Sequence, residues 1–285
     1  MLKANVGYSI HADSYQSGEE SIKKAHENVE NIKINFLFTS VKNDIKELIK
    51  GIRKHTDTPI IGCTSSEAII VPDGIISSEN GYSGILSLDD ENMTIGVACH
   101  EAGKDARTIG RKVAIQAVQN AKSTRAPAYI YMVASPRQEE EYLMGIQDVI
   151  GRVAIFGGSA ADDTVEGKWK IICNDKVYTD GVAVAFFYTD SEIVTSFSGG
   201  YRETENIGLI TEVKDNRNLV SIDGVSALKK YAHWTNISPI NLIGIFVRCL
   251  NDKATPPLVS PSILVKTQPD NFNLSLNPVI TLIAS

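Results

Sequence analysis

Two stretches, Gly81-Tyr-Ser-Gly-Ile-Leu-Ser-Leu-Asp-Asp90 and Gly181-Val-Ala-Val-Ala-Phe-Phe-Tyr-Thr-Asp190, decide how this chain is read. They align without a gap, glycine on glycine and aspartate on aspartate. Each is an apolar run of strand length bounded by turn residues. The same succession of elements precedes both.

Upstream of Gly81, the turn Pro72-Asp73-Gly74 joins two extended pieces, Glu67 to Val71 and Ile75 to Ser77. Before them, Pro59 to Gly62 is a short strand that opens into the loop Gly62-Cys-Thr-Ser-Ser66. The preceding helix carries Ile45, Leu48, Ile49 and Ile52, an i, i+3, i+4, i+7 stripe. Ile34 to Thr39 is a strand. The helix ahead of it has a capping box at Ser17 and Glu20 and aligns Ile22, Ala25 and Val29 on one face. Lys3 to Tyr8 is the first strand.

Upstream of Gly181, Trp169 to Cys173 and Lys176 to Tyr178 are extended. Val153 to Phe156 is a strand ending in the loop Gly157-Gly-Ser-Ala160. The helix before it buries Leu143, Ile146 and Ile150. Ser135 is its N-cap, Pro136 its first residue, and Gln138 closes a capping box. Ala128 to Ala134 is a strand, and a long helix begins at the N-cap Asp105. Met93 to Cys99 and Ile193 to Phe197 are further strands. The order therefore occurs once over about residues 18–101 and again over about 105–203. The expected fold is mixed α/β: an internally duplicated α/β unit, its mixed sheets covered by helices, plus a C-terminal β-rich segment.

Bulk properties narrow the function. Hydrophobic residues form 43% of the 285, enough for a core without disulfide or metal staples. A net charge of −6 opposes a phosphate backbone, so nucleic acid is not an expected partner. No apolar run is long enough to cross a bilayer, and the N-terminus carries no signal-peptide pattern. Cys63, Cys99, Cys173 and Cys249 are widely spaced, which suits reduced thiols and a cytoplasmic location.

Candidate chemistry gathers at the two glycine loops. Gly62, Cys63, Thr64 and Ser65 can turn backbone N–H groups and hydroxyls towards an anion. They equally suit a tight turn whose hydroxyls bond their own backbone. Gly157, Gly158 and Ser159 allow close approach by a ligand or by another strand. Asp162 and Asp163 can pair with a ligand amine, or cap a loop. Arg202, after Gly199 and Gly200, can clamp a carboxylate. Cys63 needs a nearby base or helix N-terminus to become a nucleophile. Ser65 lacks the G-x-S-x-G setting of hydrolases. No catalytic residue is assigned. The five histidines have no metal-binding spacing, and no nucleotide-binding glycine motif occurs, so no metal or cofactor is expected.

The segments Pro59-Ile-Ile-Gly-Cys-Thr-Ser-Ser-Glu67, Asp73-Gly74, Ile155-Phe-Gly-Gly-Ser-Ala-Ala-Asp-Asp163 and Asn174-Asp-Lys-Val-Tyr-Thr-Asp-Gly181 resemble the N-terminal FIST domain. Val220-Ser-Ile-Asp-Gly-Val-Ser-Ala-Leu-Lys-Lys-Tyr231 resembles the start of the C-terminal FIST domain. The resemblance implies a FIST N-terminal domain over residues 1–203 and a partial C-terminal domain over 204–285. It further implies a sensory module of signal transduction that binds a small molecule, amino acids among the ligands proposed. With the two loops opposed, the expected ligand is small and polar or zwitterionic. A signal would leave through a signalling protein partner or a homo-oligomer. Two rival readings remain at this stage: a hydrolase or transferase using Cys63 or Ser65, and a scaffold without ligand. The first needs a base within reach of the nucleophile; the second needs loops that close on protein and leave no pocket.

Overall fold

A computed structural model describes residues 2–164, 166–194, 203–214, 218–238 and 262–266. The described residues up to Val194 belong to one compact unit, and those from Glu203 onward to a second.

In the first unit the elements run β1 (Lys3–Ser9), α1 (Ser14–Ala25), β2 (Ile32–Thr39), α2 (Ile45–Arg53) and β3 (Ile60–Thr64). A hairpin of β4 (Ile69–Val71) and β5 (Gly74–Ile76) leads to β6 (Ser83–Asp89). The series then recurs as β7 (Thr94–Glu101), α3 (Ala106–Ala121), β8 (Tyr129–Ala134), α4 (Glu139–Ile150) and β9 (Ala154–Ser159). It ends with the hairpin of β10 (Ile171–Cys173) and β11 (Lys176–Tyr178), and then β12 (Gly181–Tyr188).

Each half makes a sheet with one strand order. The first is β1-β6-β2-β3 and the second β7-β12-β8-β9. Strand senses match as well. The last strand of each half is antiparallel to its two neighbours, and the two strands joined by a crossover helix are parallel. The hairpins differ: β10 extends the first sheet beside β3, whereas β4 and β5 pair only with each other.

Alternation along the strands builds four layers. Leu37 and Ile85 face α1 and α2, where they meet Ile22, Leu48 and Ile52. Val184 and Met132 face α3 and α4, against Ile109, Val113 and Ile146. Between the sheets, Ile34, Phe36 and Ile61 of the first meet Tyr131, Val133 and Phe187 of the second. Phe36 and Tyr131 touch edge to face at 4.9 Å, and Tyr129 stacks on Phe187 at 4.3 Å. The helix pairs cross on glycines. A Cβ on Gly51 would lie 2.1 Å from the Tyr15 carbonyl, and one on Gly145 would lie 2.1 Å from that of Arg107. Both glycines are the seventh residue of their helix.

Local expectations needed correction at several points. Asp13, not Ser17, caps α1, accepting from the Gln16 N–H at 2.9 Å. Ser17 is instead buried in the helix, bonded to Ser83 at 2.7 Å. Helix α4 starts at Glu139, so Ser135 and Pro136 precede it. Ser135 Oγ exchanges hydrogen bonds with the Gly181 backbone. Gly62 to Thr64 and Gly157 to Ser159 are strand, not loop, because parallel pairing continues through Thr39–Thr64 and Ala134–Ser159. Ile193 and Val194 are not strand. The strand registers place Ile85 beside Leu37, which neighbours Gly62, and Val184 beside Met132, which neighbours Gly157. Ile85 therefore matches Val184, one residue away from the Gly81–Gly181 alignment. A one-residue slip swaps the helix face for the inter-sheet face.

The second unit holds β13 (Glu203–Lys214), β14 (Asn218–Ile222), β15 (Val225–Ser226), helix α5 (Ala227–Thr235) and β16 (Ser262–Lys266). Its sheet order is β15-β14-β13-β16. Asp223 and Gly224 both have positive φ, 52° and 73°, as a two-residue turn between antiparallel strands requires.

Candidate functional site

Strands β3 and β9 each follow a crossover helix and run parallel to the strand before that helix. At Gly62 a Cβ would fall 1.7 Å from the Leu37 carbonyl oxygen, and at Gly157 1.7 Å from that of Met132. Both glycines thus let two parallel strands approach. Gly62 pairs with Leu37 and Ile172, which face the helices, so it too lies on the helix side.

Beyond the glycines the two strand ends meet. Thr64 Oγ1 donates to the Ala161 carbonyl at 2.7 Å and accepts from the Lys170 N–H at 2.8 Å. The Ala161 N–H returns a bond to the Thr64 carbonyl at 3.0 Å. Asp163 Oδ1 accepts from the Glu67 N–H at 2.7 Å, a second tie between the segments.

These ends form one wall of a cavity of about 510 Å³. The hairpin β4–β5 covers it with Ile69, Ile70, Val71 and Ile75. Val6, Phe38 and Leu86 of the first sheet and Tyr131 and Val133 of the second complete an apolar lining. Ile69 and Val71 are buried, whereas Ile70 and Ile75, paired on the other face of the hairpin, border the cavity while staying 50% and 74% exposed. Of the residues singled out in the sequence, Cys63, Thr64, Ser65, Gly157, Gly158 and Ser159 line the cavity. Gly62, Asp162 and Asp163 do not, and Arg202 lies outside the described residues. The apolar wall was missed because it comes from strands read as ordinary core. The signal for it was the short run Ile69-Ile70-Val71, too brief to fill a sheet of its own.

Hydrogen bonding defines what the polar wall can do. The backbone N–H groups of Thr64, Ser65 and Ala68 reach the carbonyls of Lys170, Thr39 and Ser66 at 2.9, 2.9 and 2.6 Å. With the Glu67 N–H held by Asp163, the anion nest suggested by the sequence has these donors occupied. Asp162 accepts from the N–H groups of Thr164, Glu166 and Lys168, so it organises its own loop. Asp163 also faces Lys42 at 4.0 Å. A ligand ammonium gripped by these carboxylates does not match this arrangement.

Ser65 Oγ donates to the Ala68 carbonyl at 2.8 Å, and Ser159 Oγ donates to Glu139 Oε1 at 2.5 Å. A hydroxyl has one proton and two lone pairs, so both present acceptor capacity. The Cys63 thiol is pushed up to about 12 by burial, the wrong direction for a nucleophile. Among the described residues, no group of three His, Cys, Asp or Glu side chains is placed to hold a metal ion. No described helix is long and apolar enough to cross a membrane.

No curated protein matches this sequence. Among solved structures, a cyanuric acid hydrolase from A. caulinodans is similar at a TM-score of 0.38 and 12% identity, over 94% of each chain. A cyanuric acid hydrolase described as an evolutionary innovation by structural concatenation is similar at a TM-score of 0.35 and 8% identity, over 66% of this chain and 67% of that one. The model of the FIST N domain matches residues 33–225. With more than half of the sequence inside that match, the chain belongs to the FIST family of sensory signalling domains.

Proposed function

We propose that this protein is a sensory module whose small-molecule ligand occupies the cavity beneath the β4–β5 hairpin. The observation that carries the reading is the meeting of Cys63–Ser66 and Gly157–Ser159 on one wall of that cavity. A volume of about 510 Å³ lies within the usual range for metabolite pockets, about 300–1,000 Å³. The lining favours a compound with an apolar body and a hydrogen-bond-donating end placed at Ser65 and Ser159. An amino acid with an apolar side chain has that form, and a strongly charged metabolite does not. Occupancy would press Ile69 and Val71 from beneath and so bias the hairpin position. The exposed Ile70–Ile75 pair then offers a surface for a signalling partner or a second copy. We place the protein in the cytoplasm, with residues 1–203 as the N-terminal FIST domain and 204–285 as a partial C-terminal one.

An enzymatic reading has weaker support. Cys63 is buried, with its thiol raised, and the Ser65 hydroxyl donates to a carbonyl rather than to a base. A scaffold without ligand gains nothing from the cavity.

The test is a thermal-shift screen of the purified chain against apolar, polar and charged amino acids, small amines and organic acids. A ligand at about 100 times its Kd adds about 2.7 kcal/mol, a visible rise in Tm. The expected hits have apolar bodies, and Ser159→Ala together with Ser65→Ala removes the shift. Hits confined to charged compounds, or a shift untouched by both substitutions, would refute the assignment.

A further inference from the structure

Cys99 and Cys173 stand on different sheets but face the same space. Cys173 ends β10 in the hairpin that borders the first sheet, and Cys99 lies in β7 at the edge of the second. Within the hairpin Cys173 pairs with Lys176, and Ile171 with Tyr178, so these four side chains share one face. That face looks between the sheets: Ile171 and Cys173 pack there with Val97, and Cys99 packs against the same cluster. Strands β10 and β7 are in contact, and the Cys173 and Tyr178 side chains both lie close enough to Cys99 to act on its sulfur electrostatically. A second cavity, about 710 Å³, is lined by both cysteines with His100, Lys112 and Lys176. Cys99 is half-buried and Cys173 buried, and both are free thiols.

We propose that Cys99 and Cys173 form a redox pair, in which a hydroperoxide entering this cavity oxidises Cys99 and Cys173 then closes a disulfide.

Electrostatics agrees with that division of labour. The Cys173 thiol beside it holds the Cys99 thiol below its ordinary value; partial burial opposes this, and Lys176 and Tyr178 add to the lowering. The neighbouring Cys99 sulfur, then burial, holds Cys173 well above the usual thiol range. The thiolate is the reactive form and Cys99 is the more exposed of the two sulfurs, so Cys99 meets the peroxide first and Cys173 waits behind it. The Cys99 sulfur bonds to the outer peroxide oxygen as the O–O bond breaks. The leaving alkoxide or hydroxide takes a proton from solvent, and a sulfenic acid remains. The Cys173 sulfur then attacks the Cys99 sulfur. The S–S bond forms, the S–O bond breaks, and the departing hydroxide leaves with the Cys173 proton as water. Two electrons pass from the thiol pair to the peroxide. None of these residues lines the cavity beneath β4–β5, so this site stands apart from the proposed ligand site.

The experiment treats the reduced full-length protein with stoichiometric hydrogen peroxide and maps its cysteines by mass spectrometry without reductant. The expected product is a Cys99–Cys173 disulfide, with loss of two titratable thiols and with Cys63 unchanged. Cys173→Ser should stop at a Cys99 sulfenic acid, trapped by a 1,3-dione. Cys99→Ser should leave Cys173 reduced. Oxidation directed to Cys63 or Cys249, a disulfide joining any other pair, or Cys99 left as a thiol would overturn the proposal. The map of the unsubstituted protein decides the matter even if a serine variant fails to fold.

Discussion

At the residue scale, Gly157 has a packing role that is independent of any ligand. Its φ is +145°, a region L side chains rarely adopt, and an added Cβ would meet the Met132 carbonyl oxygen at 1.7 Å. Gly151 has a positive φ too, but nothing lies within 4 Å of its missing Cβ. Gly157→Ala should therefore destabilise by about 1–3 kcal/mol through overpacking, besides its backbone strain. Gly151→Ala should cost less, because it carries only the strain. Chemical denaturation of both variants checks the ranking; equal losses would show that β9 can shift to absorb the methyl. The same geometry explains why two glycines legible in the sequence as a ligand signature had two readings. Strand packing accounts for both Gly62 and Gly157, and of these two Gly157 also lines the cavity, beside Gly158 and Ser159. Only the pairing partner tells these roles apart, and a partner strand is invisible in a linear sequence.

At the element scale, each helix pair carries a carboxylate locked to the basic side chains around it. In α4, Asp148 accepts from Arg107 Nε and Nη2 at 2.8 Å and from Arg111 Nε at 2.8 Å, tying α4 to α3. The Arg107 guanidinium chiefly holds its carboxyl at about 2, below the ordinary 3.8; partial burial opposes this and Arg111 assists. Glu19 of α1 is likewise lowered to about 2, first by Lys23, then by Lys54 and His55. A depressed carboxylate stabilises the fold above its unfolded value, and that contribution is lost as pH falls through its folded value. Stability should therefore decline from about pH 4 towards pH 2, and Asp148→Asn should make that decline shallower. Urea midpoints across this range provide the measurement; an unchanged acid limb would mean solvent already screens the pair. Helix periodicity made both helix pairs legible, since Leu48, Ile52 and Ile146 recur on buried faces. Helix starts were less legible. Ser17 and Ser135 carry cap chemistry in sequence, yet tertiary partners Ser83 and Gly181 claim their hydroxyls. The N-cap Asp105 was correctly read because its side chain finds no distant competitor and bonds Thr108.

At the scale of the whole molecule, the repeated strand order has an energetic consequence. Among the described residues, the core clusters of the four layers draw on those between Val6 and Tyr188. The inter-sheet cluster takes Ile34, Phe36 and Ile61 from one half and Tyr131, Val133 and Phe187 from the other. Each half thus makes a four-stranded sheet, the second half adding β10 and β11 to the first, and each sheet's inner face is apolar and unsatisfied until the other covers it. A fragment of residues 1–194 should melt cooperatively, because the buried faces of the described residues keep their partners within it. It should also retain the ligand-dependent rise in Tm, since the described residues of the cavity lining run from Val6 to Ala161. A fragment of residues 1–92 has the same local sequence and the same helices over one sheet. It lacks the second sheet and the β10–β11 hairpin that pairs with β3, so Phe36 and Ile61 would face water, and burying one large apolar side chain contributes about 1.5–3 kcal/mol. That fragment should be unfolded or self-associated by circular dichroism and sedimentation. Mixing it with residues 93–194 should restore a cooperative transition if the inter-sheet layer is what holds the halves. A monomeric, cooperatively folded 1–92 would show instead that each helix-covered sheet is stable alone, and that the inter-sheet layer is a docking surface rather than a shared core.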